Sequence, residues 1–569
     1  MFSPEQRLPS QMATKAEPTL PGSTDGETAS KPPAKGLRFW GIFASVCLLS
    51  FISALDVSII TTALPTITAE IGGAEQYVWI ANSFIVASSV LQPLFGQVAD
   101  AFGRQIPIIT ATTLFTLGSG LAGGAYNVGM LIAGRTVQGI GAGGIYVLID
   151  IVCCDLVPLR ERGKYLGLMF SWSGVAAALG PPVGGALAQE NWRWVFWINI
   201  PICGLALFAL VLFMRVNKGA DSSTLSLISK AKRIDYFGSL IFIPSMIALL
   251  FGLIMGGVQF PWSSWRVILP LVLGIAGWIF FHIQQHYFAR HPSVPSRLFG
   301  NRTSVTAFIL TFTSSVILQM ISYFLPIYFQ AVLATTTLES GTFFLPFALG
   351  SLVFAVVAGA LLTKFGAYRP LHATAFALLA VSFGLFTLLD GYTTKVAWAF
   401  FELIASGGCG MIISTLLPAI MAKLPESDVV TVSATFSFIK NFGYIWGVTI
   451  SSIVFNAVFD SNLYNISDQT LRSQLQSGAA YSFASQVHTI RSTLDLGVWV
   501  ETRDVYTKSL RIIWWVGLGI SLASFFAVAG EEGLELRKEL ETEYGINDQP
   551  DRSTNDREKL KDELKTQEE

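Results

Sequence analysis

Apolar runs broken by only a few polar residues recur along the whole chain, near 39–64, 77–99, 106–126, 130–151, 164–189, 194–215, 235–257, 266–289, 303–330, 341–363, 370–390, 396–420, 433–459 and 510–530. Each is roughly 20 residues, the length an α-helix needs to cross a ~30 Å hydrocarbon core. Only helices or closed barrels satisfy their own backbone in lipid, and runs of this length select helices. The pattern therefore predicts an all-α, polytopic membrane protein with about fourteen spans. Basic residues fall mainly in alternate short loops: Arg104; Arg160, Arg162 and Lys164; Lys218, Lys230, Lys232 and Arg233; Arg290, Arg297 and Arg302; Lys364 and Arg369. The opposite loops hold Arg193, Arg266 and Lys395. The positive-inside rule then puts both termini in the cytosol. One outside loop, roughly 460–509, is long and polar and contains the sequon Asn465-Ile466-Ser467, so Asn465 is a candidate glycosylation site. Asn301-Arg302-Thr303 has the same pattern but falls on the inside.

Composition agrees. Of 569 residues, 52% are hydrophobic and 13% charged, with a mean hydropathy of +0.55. Soluble domains carry about 25% charged residues, so an ordinary soluble enzyme is excluded. The net charge of -1 gives no sign of a nucleic-acid partner. Cys47, Cys153, Cys154, Cys203 and Cys409 lie in or beside apolar runs without the spacing of zinc sites or disulfide frameworks. No Gly-x-x-x-x-Gly-Lys-Ser/Thr run occurs, nor a soluble stretch long enough for a nucleotide-hydrolysing domain. We therefore expect no cofactor, no metal and no enzymatic activity, with energy drawn from an ion gradient. The first ~38 residues lack the apolar core of a cleavable signal and read as a disordered cytosolic tail before a first span that serves as uncleaved targeting signal. Residues 531–569 read as a charged cytosolic tail, solvated as a helix or disordered.

The polar interruptions carry the candidate chemistry. Residues 173–201, SGVAAALGPPVGGALAQENWRWVFWINIP, set Gly180, Pro181, Pro182, Gly184 and Gly185 inside an apolar run and crowd Trp192, Trp194 and Trp197 at its far end. The prolines break the backbone ladder, and the glycines let a neighbouring helix cover the break. Between spans 2 and 3, Gly96-Gln97-Val98-Ala99-Asp100-Ala101-Phe102-Gly103-Arg104 forms a tight turn holding an acid and a base. Asp100 is expected to pair with a helix terminus or with Arg104. Asp56, in Leu55–Pro65, is an acid within span 1, and Arg135, in Arg135–Gly141, a base within span 4. Charge inside a membrane is costly enough that function is the default reading. Counted from the outer ends of their spans, the two lie about 13 and 9 Å deep and are near enough in depth to meet. Two other readings stay open: Asp56 at the outer interface if span 1 ends early, and Arg135 tied to backbone carbonyls.

These runs resemble the major facilitator superfamily: G-x-x-x-D-x-x-G-R in loop 2–3, R-x-x-Q-G-x-G at Arg135–Gly141, and the antiporter motif in span 5. The first span is similar to the LDxTIVNxALP pattern of fourteen-span drug:proton antiporters, as are WRWVFWINIP, YFLPIYFQAV at 323–332, SGTFFLPFALG at 340–350 and FGAYRP at 365–370. The likeness covers about 40–530, departs from the usual loop at Ala101 and Gln105, and in FGYIWGVTISSIVFN is similar to fungal members, many of which export toxic secondary metabolites. It implies a six-plus-two-plus-six plan: a bundle at 39–215, a cytosolic linker with two inserted helices at 216–290, and a bundle at 291–530. It further implies a midplane binding site between bundles.

On this reading Asp56, Arg135 and Glu402 are candidates for proton coupling, and Gly96, Asp100, Gly103 and Arg104 form a gating loop. Gln92, Gln138, Gln319, Tyr323 and Asn441 are candidates to line the cargo cavity, against a role as helix–helix glue. Lys440 sits in the inner half of span 13, where it either lines the cavity or snorkels to the cytosol. His282 and His286 have helical spacing and read as interface packing rather than a metal site. The expected function is proton-driven export of small, largely apolar molecules through the plasma membrane, or a vacuolar or vesicle membrane. The expected partners are that cargo, protons and the lipid bilayer, with the protein acting as a monomer. The alternatives are a substrate-specific carrier, for example of a siderophore, and a non-transporting sensor on a carrier fold.

Overall fold

The structure, a computed structural model, describes residues 36–71, 77–214, 227–257, 260–476 and 479–537. Nearly all of the expected N-terminal tail, the first part of the linker and most of the C-terminal tail lie outside these residues. The spans are α1 (Leu37–Ile71), α2 (Tyr77–Val90 continued by Gln92–Phe102), α3 (Gln105–Gly123), α4 (Val128–Leu156), α5 (Leu159–Asn191), α6 (Asn199–Phe213), α7 (Tyr236–Met255) and α8 (Trp265–Tyr287). They continue with α9 (Arg302–Ile327), α10 (Leu345–Phe365), α11 (Arg369–Phe386), α12 (Lys395–Ile420), α13 (Val429–Asn462) and α14 (Leu496–Ala527). Among the described residues 12 helices are long and apolar enough to cross a membrane, and α2 and α5 bring the number to 14 as bent pairs. The bend in α2 is 43° at Leu91 and that in α5 is 40° around Pro181-Pro182, where the missing backbone donors were expected to break the ladder.

Local chemistry sets the ends. Asn127, Asp235 and Asn301 cap α4, α7 and α9, each side chain accepting a backbone N–H of the first turn. Gly103 ends α2 with φ +83° and Gly366 ends α10 with φ +69°, a region that favours glycine. Arg193 donates to the carbonyls of Gly123 and Ala125 at 2.9 and 2.7 Å and so satisfies the end of α3. Its neighbour Trp192 is buried rather than at a membrane surface, because it packs edge-on against Phe196; Trp194 is the exposed one.

The helices pack as two sets, α1–α6 and α9–α14, with the α7–α8 hairpin against α2 and α13. Phe242 of α7 meets Phe438 of α13 at 5.2 Å between ring centres, and Phe251 meets Trp79 of α2 at 5.4 Å. The outer faces of α7 and α8 stay apolar and exposed, as lipid-facing helices require. Two sequence expectations need correction. Residues 496–509 are not loop but the first turns of α14, since an amphipathic helix carries Glu501, Arg503 and Lys508 beyond the apolar run without losing a hydrogen bond. Residues 531–537 are docked rather than solvated. Glu531 contacts His372 at 2.9 Å, Glu532 pairs with Arg302 at 2.9 Å and with Lys423, Leu536 is buried, and Arg537 donates to Leu424 O at 2.7 Å.

Candidate functional site

Span 1 does not end early. α1 runs four turns past Asp56, whose side chain is fully buried. Facing it on α4, Arg135 Nη1 donates to Asp56 Oδ2 at 2.6 Å and to Gln138 Oε1 at 2.8 Å. Gln138 Nε2 donates to Asp56 Oδ1 at 2.7 Å and to Ser119 Oγ on α3 at 2.8 Å. Asn199, at the start of α6, donates to the same Asp56 Oδ1 at 2.9 Å. Three helices thus meet at one carboxylate, and α3 joins them through Ser119, which also accepts from Asn199 at 3.2 Å. The guanidinium lies 4.3 Å from the centre of the Phe84 ring, a contact that favours the cation in a dry site. Close approach makes the cluster possible: a Cβ on Gly118 of α3 would run into the Gln138 backbone, and one on Gly141 of α4 into that of Phe115. The sequence pointed to Asp56, Arg135 and Gln138; it missed Ser119 and Asn199. Asn199 had a signal, a lone amide inside WRWVFWINIP.

The antiporter segment packs on the same helix. A Cβ on Gly180 would collide with Ser58 Oγ, two residues beyond Asp56, whereas one on Gly185 would meet nothing within 4 Å. Gly184 is buried, and Pro181 is a residue whose side chain lies outside the described ones. The expected close contact is therefore made by Gly180 and not by Gly185, which is only partly buried.

A second group of contacts joins the two helix sets on the face where α1 begins, called here the Arg104 face. A Cβ on Gly96 would come within 2.6 Å of Ala434 Cβ on α13, and Gly163 of α5 crosses Gly359 of α10. Arg162 pairs with Glu426 at 2.7 Å, and Arg160 donates to Thr363 O and Lys364 O, both at 2.6 Å. Within the gating loop, Gly103 makes the tight turn, but Arg104 pairs with Asp155 of α4 at 2.7 Å in place of Asp100, which is exposed. Asp155 projects from the last turn of α4 and is the carboxylate that the Arg104 guanidinium reaches. Deeper in the same seam Asp150 of α4 accepts from Ser437 Oγ at 2.9 Å and faces Lys440 at 3.9 Å.

The remaining candidates are dispersed. Glu402 is fully buried on α12 beside the Phe347 backbone, with no base within ion-pair distance among the described residues. Gln92 is buried at the break of α2, Gln319 lies against Gly447 of α13, Asn441 follows Lys440, and Tyr323 is 36% exposed on α9. His286 reaches Ser296 at 3.4 Å, and no group of metal-ligating side chains occurs among the described residues. Asn301 is occupied as the cap of α9; Asn465 is exposed.

A family model described as Major Facilitator Superfamily matches residues 46–448. The chain is 44% identical over 523 residues to the MFS efflux transporter aclA of Aspergillus oryzae, covering 91% of this chain and 94% of that protein. It is 41% identical over 546 residues to the efflux pump FUS6 of Gibberella fujikuroi, with 95% and 98% covered. It is 42% identical over 532 residues to the MFS-type efflux pump LUC4 of Fusarium sp, with 92% and 93% covered. Its fold is similar to that of the human organic anion transporter MFSD10 (TETRAN), at 15% identity and a TM-score of 0.55 over 88% of this chain and 100% of that one. A buried ionic cluster set in helices that pack as two sets, together with these relatives along nearly the whole length, places the chain in the major facilitator superfamily, a family of small-molecule carriers and not of enzymes.

Proposed function

We propose that this protein exports small, largely apolar molecules by proton antiport, alternating access to a site between α1–α6 and α9–α14. The observation that carries the reading is the Asp56 cluster. Its carboxylate accepts three hydrogen bonds on its two oxygens, from α4 and α6, so the charge that a proton would remove is the one that ties these helices to α1. Protonation removes the charge that holds Arg135, and the freed guanidinium must find another partner or repack. Proton binding is thereby coupled to a rearrangement of α1 against α4. Cargo export then alternates with proton entry, and the contacts on the Arg104 face hold that side closed meanwhile. Glu402, buried without a basic partner, is the candidate second proton site in the other helix set. The names of the relatives, efflux pumps and efflux transporters, support the outward direction. Both termini and the Arg104 face lie in the cytosol on this reading, the protein works as a monomer in the plasma membrane, and its energy comes from the proton gradient with no bound cofactor.

The test is proton counterflow. Cargo is first identified by comparing metabolites in the medium of cells with and without the gene. Purified protein in liposomes enclosing a pH-sensitive dye should then move protons against that cargo, and Asp56→Asn should do neither. Uphill transport by Asp56→Asn at the wild-type rate refutes the assignment.

A further inference from the structure

The seam between the helix sets holds a charged group that the Asp56 cluster does not use. Lys440 is the eleventh residue beyond the start of α13 at Val429, about 16 Å along a helix of 34 residues and so within its first third, on the side of the Arg104 face. Its ammonium faces α4 and α5 of the other set, 3.9 Å from Asp150 Oδ2, 4.8 Å from the ring centre of Phe170 and 5.2 Å from that of Phe436. At 3.9 Å the ion pair is too long for a hydrogen bond. Asp150 Oδ2 takes its hydrogen bond from Ser437 at 2.9 Å, while Oδ1 is buried without a partner. The two sides of the pair also differ in access: Asp150 is fully buried, whereas the Lys440 side chain is 18% exposed.

An ammonium with three donors, held by attraction at a distance and partly exposed, has capacity left for a second anion. Arg135 differs in that its charge is already matched by Asp56 at 2.6 Å. We propose that Lys440 is the recognition group for an anionic cargo, a molecule with a carboxylate on an otherwise apolar, aromatic body. The cargo carboxylate accepts hydrogen bonds from the ammonium, and its body lies against the rings of Phe170 and Phe436. Asp150 is the counter-ion that keeps Lys440 in the seam when cargo is absent. A carboxylate entering this low-dielectric space alone would be strongly disfavoured, so a cation held within the seam selects for it. The proposal rests on the export reading, because it names the class of molecule that the site accepts.

Binding separates the two. In purified protein embedded in lipid nanodiscs, with no gradient present, titration calorimetry compares 1-naphthoate with 1-naphthamide, which has nearly the same shape and no charge. Wild type should prefer the carboxylate at least tenfold, Lys440→Arg should keep a preference, and Lys440→Met should bind both alike. If Lys440→Met does not fold because Asp150 is left unpaired, the double variant Asp150→Asn/Lys440→Met removes both charges and should show the same loss. Equal binding of the two probes by wild type, no binding of naphthoate, or a preference that survives loss of Lys440 would each overturn the proposal. Failure of proton counterflow with binding preference intact would instead count against the export mechanism alone.

Discussion

At the scale of single residues, one buried carboxylate organises the first helix set. Asp56 draws on α4 twice and on α6 once, so removing its charge and removing its partner have different consequences. Asp56→Asn keeps size and the two hydrogen bonds at Oδ1 but leaves the buried Arg135 guanidinium without its carboxylate, so it should unfold in detergent at a lower temperature than wild type while uphill export falls at least tenfold. Arg135→Leu leaves a carboxylate uncompensated in a dry site, at a cost of about 3–5 kcal/mol. That variant should unfold at clearly lower temperature, and Asp56→Asn/Arg135→Leu should recover much of the loss without recovering export. A single variant as stable as wild type would show that the pair is not dry. Asp56, Arg135 and Gln138 were legible in the sequence because a charge or a paired motif stands out in an apolar run. Ser119 was not, since hydroxyls in spans usually bond their own helix, as Ser119 also does to Phe115 O. Asp150 escaped notice because it falls at the last residues of its apolar run, where an acid reads as interfacial; only the approach of α13 buries it.

At the scale of elements, the fourteen apolar runs were legible almost to their ends because lipid imposes a length on them. What lay beyond the apolar stretch was not: α1 and α14 continue as helix through polar residues. The α5 bend was legible in its prolines, but which glycine it brings to α1 depends on the direction of the bend. Gly180→Val drives a branched side chain into Ser58 and should cut export several-fold or lower the folded yield. Gly185→Val points into open space and should be tolerated in the conformation described here. Export assays at matched protein levels decide it; equal loss from both variants would mean that α5 straightens during transport and closes on Gly185.

At the scale of the whole molecule, the order of helices puts the α13–α14 connection opposite the Arg104 face. Asn465 should therefore carry a glycan and Asn301 none, which digestion of wild type, Asn465→Gln and Asn301→Gln will show as a mobility shift lost only in the first variant. A shift that depends on Asn301 would invert the molecule. The docked segment 531–537 ties both sets together at the Arg104 face, since Arg160 N–H donates to Arg537 O at 3.2 Å. Lys423, with Arg302, holds the Glu532 carboxyl below the usual carboxylate range. Such a group adds stability above its unfolded value and loses it as pH falls through the depressed one. The segment should stay protected from protease at neutral pH and become cleavable only in acid; cleavage unchanged by pH would remove Glu532 from its docking. The seam it fastens has one further property. Where Gly163 crosses Gly359, a Cβ on Gly359 would lie 2.7 Å from the Lys164 Cα, so the helices touch along bare backbone. Beside the backbone contact only the Leu362 side chain reaches Gly163, so few rotamers have to change for α5 to slide on α10. The crossing is a smooth bearing, and the resistance to opening resides in the ion pairs around it, which salt, protons or cargo can reach.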